Sequence, residues 1–116
     1  MISSALLARI FMRGPFPLQP LPIGMHVPAG VRGVFCLAKT SDQVSLVGRA
    51  DKDLRAALKS YLGKYPIFWF ETALSPDECF AIHCRTYHRQ LEDGALDDRL
   101  HPAADKPSQK CPVCGV

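Results

Sequence analysis

No apolar run in the chain approaches the roughly 18 residues that a membrane-spanning helix needs, and its 116 residues contain no internal repeat. Neither sign of charge dominates: 14 lysines and arginines stand against 11 carboxylates, a formal net charge of +3. That excess permits a nucleic-acid partner without demanding one, because dedicated binders carry a stronger basic bias. Cysteines are few and odd in number, five in all. Two of them form a Cys-x-x-Cys pair at Cys111 and Cys114. This argues against a disulfide framework and suits a reducing compartment with one metal site, so a cytoplasmic location without a membrane partner is expected. The opening residues 1–13 have no charged stretch before their apolar part, and Arg9 interrupts that part. These features disfavour a secretory leader and favour a docked or frayed N-terminal helix.

What is present has the composition of one globular domain, 47% hydrophobic and 22% charged. Residues 14–30 hold five prolines and read as an extended arm over the surface rather than a helix. The folded domain is accordingly placed at 31–116, with 1–30 as an N-terminal segment and arm. Gly33 to Ala38 is a short apolar run of strand type, and Val44 to Gly48 resumes that pattern after turn residues, which together predict a β-hairpin. Asp51 is a plausible cap for a first helix whose face is Leu54, Ala57, Leu58, Tyr61 and Leu62, with Gly63 at its end. Ile67 to Phe70 is an aromatic strand. Ser75, Pro76 and Glu78 then form the start signals of a second helix running to about Leu91. The remainder, from Ala95, carries three prolines and is expected to be irregular. The fold class is therefore α+β, a small three-stranded antiparallel sheet with flanking helices and an irregular tail.

The chemistry gathers at the C-terminal end. Cys84 and His88 are four apart on the second helix and leave the same face. Such a pair supplies half of a tetrahedral zinc shell, and the Cys111–Cys114 knuckle supplies the other half across an irregular connection. The expected structural zinc site is therefore Cys84, His88, Cys111 and Cys114. Cys79 and His83 form a second-ranked helical pair, and His101 is weighed as a residue that orients a ligand or as an ordinary loop histidine. Arg49, Lys52, Arg55 and Lys59 are candidates for a phosphate-binding surface. Reversing Arg49 and Arg55 to glutamate is expected to abolish such binding and leave the fold intact.

Gly33-Val34-Phe35, Leu46-Val47-Gly48 and the segment from Arg49 to Arg55 stand in the order and separation of the GIY-YIG nuclease motifs. With the tail elements Cys84-Arg85-Thr86-Tyr87-His88, Asp98 to Ala103 and Cys111-Pro112-Val113-Cys114, the chain over residues 31–116 resembles that superfamily. It is similar in particular to small stand-alone members ending in a Cys-Pro-x-Cys knuckle. The resemblance implies a phosphodiesterase site of two tyrosines, an arginine, a metal-holding glutamate and an asparagine, in which metal and arginine stabilise charge on the phosphate. The matching positions here are Phe35, Leu46, Ala57, His83 and Asp98. None keeps the side chain that its position needs, and neutral histidine is a poor magnesium ligand. The expectation is a non-catalytic domain binding DNA, RNA or a protein partner. The alternative is an active divalent-metal-dependent endonuclease with a rearranged site.

Overall fold

The computed structural model describes residues 12–92, 94–97 and 99–115. The expected N-terminal helix, apart from its last residues, and the Asp98 position lie outside them. Alternation along the central strands sets the architecture. Strand β2 (Gly33–Ala38) is buried on both faces and sends Phe35 and Leu37 one way, Val34, Cys36 and Ala38 the other. It pairs antiparallel with β3 (Leu46–Ala50) on one side and with β4 (Ile67–Thr72) on the other. The two motif triplets meet in this hairpin, with Phe35 opposite Gly48. A Cβ at Gly48 would come within 2.2 Å of the Phe35 ring, so the ring can lie on the strand only because that residue has no side chain.

The sheet has a fourth strand that the sequence reading did not contain. Strand β1 (Arg13–Pro17) adds to the outer side of β4, giving the order β1-β4-β2-β3. Helix α1 (Pro20–His26) follows at once, so the proline-rich stretch is no surface arm. Leu18, Ile23 and Val27 are buried, and the core begins well before Val31. Proline is tolerated in an edge strand. In the first turn of a helix it removes donors that would have had no intrahelical partner anyway, which is where Pro20 and Pro22 fall. The other end of α1 is closed from outside, by Arg55 donating to the carbonyls of Val27 (2.6 Å) and Gly24 (2.9 Å).

Helix α2 (Leu54–Lys59) is capped by Asp53, whose carboxylate accepts from the Ala56 amide, rather than by Asp51. It is shorter than its apolar periodicity implies, and Tyr61 continues the packing from a turn that ends at Gly63 in the left-handed region. Helix α3 (Pro76–Leu91) starts as expected, with the Ser75 hydroxyl accepting from the Glu78 amide and Pro76 in the first turn.

The two faces of the sheet are covered differently. Helices α1 and α2 cover the face of Phe35, Leu37, Phe68 and Phe70. Helix α3 covers the face of Val34, Cys36 and Trp69, through Cys79, Ile82 and Tyr87. The irregular tail returns over α3 and the end of β3. Among the described residues no helix is long and apolar enough to cross a membrane.

Candidate metal centre

Several polar anchors bring the tail back to α3. The amide of Asp97 donates to the Ser45 carbonyl (2.6 Å), and the Tyr87 hydroxyl on α3 donates to the carbonyl of Arg99. Arg49 reaches out from β3 to the Ala103 carbonyl while pairing with Asp51 (2.9 Å) and, more loosely, with Asp105 (3.7 Å). Gln109 bridges the tail to the helix start, accepting from the Asp105 amide and donating to Asp77, both at 2.9 Å. These contacts hold the tail over α3, where it presents residues 101 to 114.

Four donor atoms converge there. One each from His88 on α3, His101 in the tail, and Cys111 and Cys114 in the knuckle all lie within 4.8 Å of one another. Two histidines and two cysteines so arranged can hold a metal ion. Tetrahedral zinc, with bonds of about 2.0 Å to nitrogen and 2.3 Å to sulfur, sets its ligands roughly 3.3–3.8 Å apart. The Cys114 sulfur and His101 Nε2 are already at 3.3 Å.

The donor chemistry fits an ion as well as the distances do. His101 Nδ1 is 2.9 Å from the Pro102 carbonyl. A carbonyl only accepts, so Nδ1 carries the proton and Nε2 turns its lone pair to the cluster. His88 Nε2 is buried and has no hydrogen-bond partner among the described residues, a cost that an ion would remove. The His88, His101 and Tyr87 rings stand edge to face with centroids 5.1–5.7 Å apart, which fixes both imidazole planes. Burial of Cys111 works against its ionisation. The backbone N–H groups of Cys114 and Val113 lead the groups that outweigh it and bring the thiol down to about 5. The Gly115 amide closes the knuckle on the Cys111 carbonyl (2.9 Å), with Gly115 itself at φ +78°.

Of the residues expected to bind metal, His88, Cys111 and Cys114 come together and Cys84 does not join them. Its place is taken by His101. Cys84 packs with Phe80 and Cys111 in a small apolar cluster. Burial first, and then the adjacent Cys111 sulfur, push its thiol up to about 12, so it stays protonated. The second-ranked pair lies apart from this group. The Cys79 thiol points at the Gly33 carbonyl (3.5 Å), and His83 has a buried Nδ1 with no hydrogen-bond partner among the described residues. A second histidine between the helical one and the knuckle was the available signal for His101. Spacing along the chain could not rank it above Cys84, because the anchors that turn it inward are long-range.

The positions matching the nuclease motif do not share a site. Phe35, Leu46 and Ala57 pack on the face covered by α1 and α2. His83 is carried by α3 over the opposite face, where burial and then the Arg49 charge lower its pKa to about 4 and keep it neutral. The basic set is also divided. The Arg49 side chain is only 10% exposed and lies over the Phe80 ring, and Arg55 caps α1. Lys52 and Lys59 are exposed. Reversing Arg49 and Arg55 would therefore disturb the structure, contrary to the sequence expectation. Comparison with protein-family models, with curated proteins and with solved structures finds no match for this chain.

Proposed function

We propose that this chain is a zinc-stapled, non-catalytic domain of the GIY-YIG kind, which acts by binding a macromolecular partner. The observation that carries the zinc is the convergence of His88, His101, Cys111 and Cys114, donors far apart in sequence. Four protein ligands leave no open position for water or phosphate, so the ion's work is structural. Its binding requires the tail to dock, and its free energy therefore appears as stability of the docked tail. The non-catalytic part is supported by the separation of Phe35, Leu46 and Ala57 from His83 on opposite faces of the sheet. A protein partner is favoured over DNA or RNA, because Arg49 and Arg55 already serve backbone carbonyls of the fold.

Elemental analysis of purified protein should find one zinc per chain, lost in Cys111→Ser and in His101→Ala and retained in Cys79→Ser. Absence of metal from the unmodified protein would sink the zinc assignment. For the function, plasmid and branched or single-stranded oligonucleotides with magnesium or manganese should stay intact. Cutting that His83→Ala abolishes would instead establish the rearranged-site nuclease. Tight, salt-dependent retention of nucleic acid by the unmodified protein would reverse the preference for a protein partner.

A further inference from the structure

The four converging donors leave one sulfur of this region without a role. Cys84 is fully buried on α3 and packs against Phe80 and Cys111. The two cysteines share that buried cluster, one from the helix and one from the tail, yet all the cysteines are free. Cys111 therefore has the metal donors on one side and a helix-borne thiol on the other. Of the three sulfurs only that of Cys114 is exposed, so a reagent from solvent meets it first.

We propose that Cys84 is a resolving cysteine, and that a hydroperoxide converts the metal staple into a Cys84–Cys111 disulfide between α3 and the tail. The release of an ion rests on the zinc reading above; the disulfide does not. The Cys114 thiolate attacks a peroxide oxygen, forming an S–O bond as the O–O bond breaks and an alkoxide leaves. A sulfenic acid is a poor zinc ligand, and the ion departs with only the histidines and Cys111 left to hold it. The Cys111 thiolate then attacks the Cys114 sulfur, forming an S–S bond and expelling hydroxide. Cys84, deprotonated by the hydroxide, attacks Cys111, and Cys114 leaves as thiolate. In sum two thiols lose two electrons, and the hydroperoxide is reduced to an alcohol and water. The alkoxide and hydroxide take up two protons, one from Cys84 and one from solvent. The tail thus keeps its attachment to α3 when the metal is gone.

The test treats the full-length, zinc-loaded protein with stoichiometric hydrogen peroxide. Zinc release is followed with a chromogenic chelator, disulfides by fragmentation of non-reduced peptides, and tail docking by limited proteolysis. The expected result is a Cys84–Cys111 linkage, near-stoichiometric zinc release, a tail still protected after that release, and reversal by dithiothreitol. In Cys84→Ser, or Cys84→Ala if the first variant folds poorly, peroxide should still release zinc. It should then leave a Cys111–Cys114 disulfide and a tail cut at least several-fold faster. Zinc loss with Cys84 still alkylatable after unfolding, or identical behaviour in the Cys84 variants, would overturn the proposal. If the unmodified chain binds no zinc, the staple reading fails, and peroxide treatment of that metal-free chain still decides the disulfide by the same peptide.

Discussion

The two faces of the sheet are built from the same alternating strands and held by different physics. On the face of α1 and α2, Phe35, Leu37, Phe68 and Phe70 meet Ile23, Leu54 and Leu58, and hydrocarbon burial accounts for the contact. On the face of α3, the chemistry-bearing groups are concentrated: Cys36 and Cys79 in the core, His83 on the helix, Arg49 at the strand end, and the four candidate metal donors where the tail returns. A central strand buried on both sides separates them. The lesson is that the positions matching a nuclease site were sorted by strand parity. Phe35 and Leu46 look towards one helix layer and His83 belongs to the other, so restoring individual side chains would not rebuild a shared site.

Perturbing the two faces in turn should break this contrast if it is wrong. The largest effect is expected on the hydrocarbon face, where Phe68→Ala leaves a cavity in fully buried packing and should cost about 3–5 kcal/mol in denaturant unfolding. Chelation, or Cys111→Ser, should lower the melting temperature by less. It should expose the tail to protease while near-ultraviolet circular dichroism of the buried Trp69 persists. Collapse of the whole fold on chelation would mean that the α3 face is as indispensable as the other. A smaller effect is expected from Asp53→Ala, which removes the cap of a helix only six residues long and should cost about 1 kcal/mol. The smallest concerns Glu71, which projects to the α3 face beside Arg85 and Arg89. Burial raises its pKa above 4.5 despite those arginines. A carboxyl raised in the folded state favours folding fully below its unfolded value, and that contribution is lost as pH rises through the folded value. Glu71→Gln should therefore flatten the decline of stability with pH above about 4.5, measured by melting in a pH series.

The elements whose forces are local were legible in the sequence. A short apolar run revealed β2, β-favouring aromatics revealed β4, and the capping signals at Ser75 revealed α3, because each is settled within a few residues. The His88 and Cys111–Cys114 donors were legible from spacing, being a helical residue and a tight knuckle. Strand β1 and helix α1 were not. Proline density reads as irregular structure unless it is known that β4 offers a free edge and that Arg55 stands ready to close the helix. The exchange of Cys84 for His101 was hidden for a related reason. The Tyr87, Arg49 and Gln109 anchors that aim the tail are contacts across 12 to 54 residues of chain, and no periodicity records them.

The prolines that concealed β1 also govern how this protein behaves in a crowd. An open sheet offers unpaired backbone groups at its edges, a template on which a second chain can polymerise. Two of the five residues of β1, Pro15 and Pro17, carry no amide hydrogen, so that edge lacks the regular row of donors that a docking strand would need. At the opposite edge the tail lies next to the start of β3, with the Asp97 amide bonded to the Ser45 carbonyl. One rim is thus chemically blunted and the other is partly screened by a strap whose seating, on the zinc reading proposed above, depends on the cysteine knuckle. Loss of that seating would uncover the β3 rim, and self-association in metal-depleted protein would then begin there rather than at β1.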